Sequence, residues 1–220
     1  MNPLILAVDT THEHGSIALA RGDQTLEEIA IEAPTGFAHI IYSHLASLLA
    51  RHAMKADQID CFAATSGPGS FTGVRVGLAC IKGLAEAAAK PAVAVSNLRV
   101  LASFGTLPLR AALLDARRSE IYGAVYDAAG QLAAPETVTR LQAWLETLPP
   151  GELEFVCLDL NPDLAGTRFA HACVTAAPRS LAAAIARIAA DRYQRGQACD
   201  PAALDANYVR RSDAELFWKE

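Results

Sequence analysis

The chain has 220 residues, of which 52% are hydrophobic and 20% are charged, so it can bury a sizeable core and is not mainly disordered. Its net charge of −5 gives no global basic surface of the kind that a free-standing nucleic-acid-binding protein shows. The sequence has no membrane-length apolar run and no signal-peptide pattern, and its five scattered cysteines form no C-x-x-C pair. These features predict a cytoplasmic protein without a zinc site or a disulfide framework.

The first half of the chain predicts an antiparallel meander followed by alternating helices and strands. Short apolar runs separated by turn residues predict the strands, and apolar residues at helical spacing predict the helices. The predicted elements are strands at 4–8, 15–20 and 24–32, a helix over 38–53, a strand at 59–64, a glycine-rich loop at 66–73, a helix to about residue 90, a strand at 92–95 and a short helix after Ser96.

The second half of the chain repeats the opening pattern weakly. An apolar strand at 111–114 ends in Asp115, as the strand at 4–8 ends in Asp9. A strand at 121–126, a helix near 138–147, strands near 153–158 and 169–174 and a helix at 180–195 follow. A repeat of half the chain predicts two α/β lobes with mixed sheets, which we place at residues 1–105 and 106–220.

Two segments carry residues that could contact a phosphate. Asp9, Thr10 and Thr11 follow the first strand, where a carboxylate and hydroxyls can hold a hydrated Mg²⁺ and a phosphate, or simply cap a turn. Gly67, Gly69 and Ser70 precede a helix, where they could cradle an anion or only make a tight connection. The loop matches neither the P-loop nor the dinucleotide-binding pattern.

Metal and nucleophile patterns are weak. The segment His12-Glu13-His14 reads as a surface turn, since a zinc site needs more ligands. His39 and His44 are five residues apart on the predicted helix and point about 140° away from each other, so they cannot chelate one ion. Ser70 does not stand in the G-x-S-x-G pattern of a nucleophile. We therefore expect no catalytic residue and no bound metal.

The helix after the glycine-rich loop carries a strip without side chains, which has two possible interpretations. Gly73 and Gly77 are one turn apart and let another element approach closely, at a cost of about 1 kcal/mol each relative to alanine. The strip indicates either packing inside the chain or an interface with another protein.

Four segments, in order along essentially the whole chain, resemble the TsaB (YeaZ) family, the dimerisation subunits of the bacterial machinery that makes threonylcarbamoyladenosine on tRNA. The segment Gly-Pro-Gly-Ser-Phe-Thr-Gly-x-Arg-x-Gly is the most specific of the four. They are Leu4–Thr11, Gly67–Gly77, Asp115–Tyr122 and Tyr208–Arg210.

The resemblance implies an actin-like ATPase fold with two ribonuclease H-like lobes, the second reduced. It also implies a non-catalytic partner that activates TsaD, which modifies the adenosine next to the tRNA anticodon, with the ATPase TsaE joining the pair. TsaD carries a histidine pair one helical turn apart, whereas here only His39 matches and Ser43 stands at its partner position. No tightly bound cofactor is expected, and any Mg-ATP is expected at the interface of the complex. Contact with tRNA only through the complex and a homodimer of the isolated chain are further expectations.

The resemblance places the partner interface on the first lobe's two helices. On helical spacing we predict that the interface contains His39, Ser43, His44, Gly73, Val74, Gly77 and Ile81. Four arginines could add local positive surface or be ordinary solvated charge: Arg117, Arg118, Arg210 and Arg211. Two alternative functions are a small-molecule kinase or ATPase of the actin-like class and, with less support, a glycoprotease-type peptidase.

Overall fold

A computed structural model describes residues 2–210 of the chain. These residues form two compact units, the first containing residues 2–97 and 179–206 and the second containing residues 98–178 and 207–210. Each unit is built on one five-stranded sheet. None of the helices within residues 2–210 combines the length and the apolar composition needed to cross a bilayer.

The described residues contain ten strands and five helices. The strands are β1 (Leu4–Asp9), β2 (His14–Arg21), β3 (Gln24–Glu32), β4 (Cys61–Gly67), β5 (Ala92–Ser96), β6 (Leu109–Asp115), β7 (Ile121–Asp127), β8 (Leu132–Thr139), β9 (Leu153–Cys157) and β10 (Cys173–Ala176). The helices are α1 (Ile41–Arg51), α2 (Phe71–Ala88), α3 (Asn97–Ala102), α4 (Leu141–Thr147) and α5 (Ala182–Gln194).

Unit 1 is a mixed sheet with helices on both faces. Its strand order is β3-β2-β1-β4-β5, with β1 antiparallel to β2 and parallel to β4. All six residues of β1 are buried, as expected of a central strand covered on both faces. Alternate residues of β1, such as Leu6 and Val8, share one core cluster with Leu45 of α1 and Ile81 of α2. Helix α5 also packs against β1, β2 and β4.

The return of α5 to unit 1 makes the units differ from the predicted ranges 1–105 and 106–220. A single division of the chain cannot describe them, because residues 179–206 lie far along the sequence and yet belong to unit 1. The buried residues of α5 include Ala182, Ala186 and Ala189, whose small side chains let the helix pack closely on the sheet. The first segment of unit 1 ends at Asn97, before the predicted linker at 103–108.

Unit 2 repeats the sheet of unit 1. Its strand order is β10-β9-β6-β7-β8, with β6 antiparallel to β7 and parallel to β9. Read from the other edge, β8-β7-β6-β9-β10 matches β3-β2-β1-β4-β5 strand for strand. The carboxylate that ends β6, Asp115, accepts a hydrogen bond from the backbone N–H two residues later, as Asp9 does at the end of β1. The predicted two-lobe α/β fold is therefore confirmed.

The second unit is reduced in its helices. Helices α3 and α4 have 6 and 7 residues, whereas α1, α2 and α5 have 11, 18 and 13. The prediction of a helix near 138–147 was wrong at its start, because Val138 and Thr139 pair with β7 as the end of strand β8. The strand predicted at 169–174 lies later, as β10.

Candidate functional site

The turn after β1 is organised by the carboxylate of Asp9, which is fully buried. Its Oδ1 accepts hydrogen bonds from the Thr11 backbone N–H at 3.0 Å, the Thr11 hydroxyl at 2.6 Å and the Thr65 hydroxyl at 2.8 Å. Thr65 belongs to the neighbouring parallel strand β4, so this one oxygen links two adjacent strand ends. The other carboxylate oxygen, Oδ2, is buried and has no hydrogen-bond partner among residues 2–210.

Asn97, at the start of α3, completes this polar cluster. Its Nδ2 donates to the Thr11 hydroxyl at 2.5 Å, while its Oδ1 is buried and also has no partner within the described part of the chain. Leaving a buried acceptor unsatisfied is costly, about 1–3 kcal/mol, unless a water or an ion completes it. Asp9 Oδ2 and Asn97 Oδ1 are therefore the two oxygens of the cluster that could accept from a ligand or coordinate a cation.

The glycine-rich loop packs directly on this turn. The Ser70 backbone N–H donates to the Thr11 carbonyl at 2.8 Å, and the Ser70 hydroxyl caps α2 by accepting from the Gly73 N–H at 3.2 Å. A Cβ at position 69 would lie 2.9 Å from both Cβ and O of Thr11. Glycine is needed at 69 because the two loops touch there.

Thr10 is the contact between β1 and the first two turns of α2. Its hydroxyl donates to the Gly73 carbonyl at 2.7 Å. A Cβ at position 77 would lie 2.6 Å from the Thr10 hydroxyl oxygen, and one at position 73 would overlap the Thr10 carbonyl. The smooth glycine strip of α2 is therefore packed inside unit 1, which decides between its two readings.

The structure thus brings the predicted phosphate-contacting residues together. Asp9, Thr10, Thr11, Gly69 and Ser70 form one cluster. Gly67 ends β4, has a φ of 103° and is joined to Pro68 by a cis peptide bond. The Thr10 hydroxyl donates to the Gly73 carbonyl, the Thr11 hydroxyl to Asp9 Oδ1 and the Ser70 N–H to the Thr11 carbonyl, so these donors already have partners. Contact with a phosphate stays a prediction.

The structure corrects part of the predicted partner interface. Gly73, Val74, Gly77 and Ile81 are all buried in unit 1, and Val74 and Ile81 belong to its core cluster. They lie on the face of α2 that meets the sheet, so they cannot be reached by another chain without unpacking the helix. His39 and Ser43 are exposed and His44 is half-buried. Their role at an interface stays a prediction.

The outward faces of α1 and α2 form one exposed surface, which we call the docking surface. It consists of Tyr42, Ser43 and Ala46 on α1 and Phe71, Arg75 and Ala79 on α2, all of them exposed.

Two aromatic side chains dominate the docking surface. Tyr42 is 56% exposed and Phe71 is 45% exposed, and the Arg75 guanidinium carbon lies 3.7 Å from the centroid of the Phe71 ring. Leu45 of α1 and Ile81 of α2 share one core cluster, so the two helices pack on the same core. The Cys80 thiol on α2 and partial burial raise the pKa of Tyr42. Sequence reasoning missed Tyr42, Phe71 and Ala79, although the signal was present: at 100° per residue, the face opposite the glycine strip carries Phe71, Arg75 and Ala79.

The turn after β6 holds two of the predicted surface arginines in an unusual backbone. Arg117, Arg118 and Ser119 have φ values of 61°, 57° and 61°, a region that non-glycine residues rarely adopt in succession. The Arg210 guanidinium braces this turn by donating to the Ala116 carbonyl at 2.9 Å and by pairing with Glu120. Arg117 is 80% exposed as a side chain. Arg211 lies outside the described residues.

Histidines, cysteines and acidic residues do not gather into a metal centre in the part of the chain that the structure describes: no group of three or more of them is close enough to hold an ion. All five cysteines are free thiols. His12 Nδ1 lies 3.0 Å from the Thr11 hydroxyl, and His14 begins β2, so the His12-Glu13-His14 segment joins the β1–β2 turn to a strand.

The repeated sheet order, a central strand ending in aspartate in each unit and the reduced helices of the second unit define an actin-like ATPase fold with two ribonuclease H-like lobes. Solved structures agree. "YeaZ from Pseudomonas aeruginosa" superposes with a TM-score of 0.75 at 24% identity, covering 94% of this chain and 99% of that one. The (R)-2-hydroxyglutaryl-CoA dehydratase component A of Acidaminococcus fermentans superposes with a TM-score of 0.53 at 9% identity, covering 87% and 99%. At these identities the likeness concerns the fold.

The sequence comparisons identify the family. A family model described as "TsaD: tRNA N6-adenosine threonylcarbamoyltransferase" matches residues 24–195, and the chain belongs to this family. The Bacillus subtilis "tRNA threonylcarbamoyladenosine biosynthesis protein TsaB" is 29% identical over 230 residues, covering 98% of each chain. The Haemophilus influenzae protein of the same name is 38% identical over 127 residues, covering 55% of this chain and 52% of that protein. The resemblance to TsaB proteins is confirmed.

Proposed function

We propose that this chain is a non-catalytic partner of a TsaD-type threonylcarbamoyltransferase and takes part in making threonylcarbamoyladenosine in tRNA. The names of its relatives support the pathway, and its membership of the transferase family supports pairing with a protein of the same fold. The observation that carries the proposal is the docking surface, an exposed face with two large aromatic side chains in a protein whose other apolar helical residues are mostly buried.

A non-catalytic role is supported by the chemistry of the hydroxyls and thiols in this chain. The Ser70 hydroxyl caps a helix instead of facing a base, and the Thr10 and Thr11 hydroxyls bond within the cluster. Burial raises the pKa of the Cys61 thiol to about 12 and that of the Cys157 thiol to about 12, which makes them poor nucleophiles. Ser43 replaces the second histidine that the resemblance assigns to the catalytic paralogue.

The docking surface suits a helical partner of the same architecture. Ser43, Ala46 and Ala79 are small, so helices from a second chain can approach closely, because the distance between packed helices depends on the side chains at the contact. Tyr42 and the stacked pair of Phe71 and Arg75 supply the residue types that dominate binding energy at interfaces. We therefore assign this surface to the TsaD-type partner, and a homodimer of the isolated chain would use the same face.

The remaining partners follow from the proposed complex. An ATPase of the TsaE type would join the pair, and tRNA would be contacted only through the complex, because the net charge of −5 opposes binding of tRNA by this chain alone.

The decisive experiment combines the chain with the TsaD-type enzyme of the same organism. Light scattering after size-exclusion chromatography should show a stable heterodimer. Threonylcarbamoyladenosine in tRNA, measured by mass spectrometry of nucleosides, should form in the reconstituted reaction and should fall to background when this chain is omitted. Unchanged product in its absence would refute the proposal, as would the failure of the two proteins to associate.

An ATPase of the actin-like class is the second candidate, and one observation favours it. Asp9 Oδ2 and Asn97 Oδ1 are buried acceptors without partners in the described region, and they fit the oxygen ligands that Mg²⁺ prefers. Steady ATP hydrolysis by the isolated chain that is abolished by Asp9→Asn would support this function. A chain that hydrolyses no ATP alone and yet stimulates its partner supports the non-catalytic role.

A further inference from the structure

We infer that Thr10 is a positioning residue for partner binding: its contact with Gly73 and Gly77 fixes where helix α2 lies on the sheet, and with it the docking surface. The inference rests on the proposed function. It gives the cluster after β1 a role that needs no bound ligand.

Thr10 contacts helix α2 closely at two positions, Gly73 and Gly77. The Thr10 hydroxyl donates to the Gly73 carbonyl at 2.7 Å, the usual length of an O–H···O hydrogen bond, and this bond is buried within unit 1. The same hydroxyl oxygen would lie only 2.6 Å from a Cβ at position 77, where the next nearest atom, the Thr10 Cβ, would be 3.9 Å away. Helix α2 thus lies as close to Thr10 as a helix without side chains at these positions allows.

The turn that carries Thr10 is itself held firmly. Asp9 Oδ1 accepts three hydrogen bonds from Thr11 and Thr65, and Asn97 donates to the Thr11 hydroxyl. The Ser70 N–H donates to the Thr11 carbonyl, so the same turn also holds the residue that caps α2. A turn with so many internal bonds moves little, and a change at the contact must therefore be absorbed by the helix.

A displacement of α2 at its contact with Thr10 also displaces the residues on the opposite face of the helix. At 100° per residue, Arg75 lies about 180° and Ala79 about 140° from the mean direction of Gly73 and Gly77. The docking surface therefore stands directly behind the contact with Thr10. A shift of α2 away from the sheet moves Arg75 and Ala79 outward relative to Tyr42 on α1 and breaks the match with a rigid partner.

The test measures affinity for the TsaD-type partner by isothermal titration calorimetry with the full-length chain. Gly77→Ala places a methyl group against the Thr10 hydroxyl, so Kd should rise about tenfold, a change expected of directly coupled contacts. Thr10→Ala/Gly77→Ala removes the hydroxyl that the methyl meets and should bind more tightly than Gly77→Ala alone. That rescue would trace the weaker binding of Gly77→Ala to its contact with Thr10, and titrating only variants that are folded at the working temperature excludes a general loss of stability.

Further variants keep the test informative if Gly77→Ala does not fold. Thr10→Ser keeps the hydroxyl and should leave Kd within about twofold, whereas Thr10→Val keeps the shape, loses the donor and should weaken binding about fivefold. Gly83→Ala, at an exposed position where a Cβ has no neighbour within 4 Å, controls for the effect of alanine on helix stability. Melting temperatures establish that each variant is folded during the titration.

The outcomes separate this inference from the function on which it rests. If the unaltered chain does not bind the partner, the proposed function fails. If the unaltered chain binds and the folded Gly77→Ala and Thr10→Val variants bind equally well, the positioning role of Thr10 is overturned. Absence of rescue in the double variant overturns it as well.

Discussion

The Ser16 hydroxyl oxygen on β2 accepts a hydrogen bond from the backbone N–H of Leu181 at 3.0 Å, although the two residues are 165 positions apart. It also accepts from the Ala182 N–H at 2.9 Å, and the Glu28 carboxylate accepts from the Ala183 N–H at 2.8 Å. The first turn of α5, which has no side-chain cap of its own, is therefore capped by two strands of the sheet. These bonds join the late segment of the chain to unit 1.

Removing the Ser16 hydroxyl should destabilise unit 1. Ser16→Ala leaves the buried N–H groups of Leu181 and Ala182 without an acceptor, and the free energy of unfolding should fall by about 1–2 kcal/mol, as for the loss of a helix cap. Urea unfolding followed by circular dichroism measures the change. Ser47→Ala, on the exposed side of α1, is the matched control and should shift it by less than about 0.5 kcal/mol. Equal effects of the two variants would contradict the capping role.

Glu154→Gln should destabilise unit 2 at neutral pH. The Glu154 carboxylate is 1% exposed and accepts from the Leu107 N–H at 2.8 Å, the Thr106 N–H at 2.5 Å and the Thr175 hydroxyl at 2.6 Å. An amide replaces one acceptor oxygen by a donor, so the loss should be about 1–3 kcal/mol. Urea denaturation at pH 7 gives the value, and Glu152→Gln, at an exposed neighbouring position, is the control.

The effect of Glu154→Gln should depend on pH in one direction. Burial acts to raise the pKa of Glu154, but the hydrogen bonds from Thr175, Leu107 and Thr106 outweigh it, and the folded pKa lies below the ordinary value of 4.5. A lowered folded pKa stabilises the protein above the unfolded pKa, and this contribution disappears as the pH falls through the folded pKa. The difference in free energy of unfolding between the unaltered chain and Glu154→Gln should therefore be largest at pH 7 and should shrink below about pH 4.5. A difference that is constant from pH 7 to pH 3 would contradict this assignment.

The sequence was sufficient to predict the strands whose local residue pattern agrees with their burial in the fold. Strands β1, β2, β4 and β5 are short, mainly apolar runs, whereas β3 was placed from the Gly22-Asp23 turn before it. The equivalent positions of Asp9 and Asp115, each at the end of an apolar strand, revealed the repeat. Strand β8 was missed because its sequence, with Pro135 and Glu136, carries little alternation and its residues are only partly buried. The place of α5 could not be predicted, since nothing local to Ala182 indicates that its partner is Ser16.

The sequence predicted which residues form the candidate site, but it did not predict which of them contact each other. Asp9, Thr10 and the glycine-rich loop were found from residue type, yet the pairing of Thr10 with Gly77 depends on how α2 lies over β1. The inner face of α2 was mistaken for an outer face because both faces carry small residues, and periodicity alone does not say which one meets the sheet. Asn97 gave no signal, since a single asparagine before a short helix is ordinary.

Thiol reactivity should distinguish buried from exposed cysteines. Burial raises the pKa of Cys61 to about 12, that of Cys80 to about 11 and that of Cys157 to about 12, whereas Cys173 is exposed. In the native protein at pH 8, a chromogenic disulfide reagent should react rapidly at Cys173, and all five thiols should react after denaturation. Cys173→Ser should remove the rapid phase. A rapid reaction at Cys61 or Cys157 would contradict their burial.

Two substitutions on opposite faces of α2 should separate stability from binding. Ile81 is fully buried, so Ile81→Ala should lower the free energy of unfolding by about 2–5 kcal/mol, as for other large-to-small changes in a core. Ala79 is exposed and arginine is a good helix former, so Ala79→Arg should change stability by less than about 0.5 kcal/mol. Its long charged side chain should nevertheless prevent close approach of a partner helix, and co-elution with the TsaD-type enzyme should be lost. Retained co-elution of Ala79→Arg would show that the outward face of α2 is not the interface.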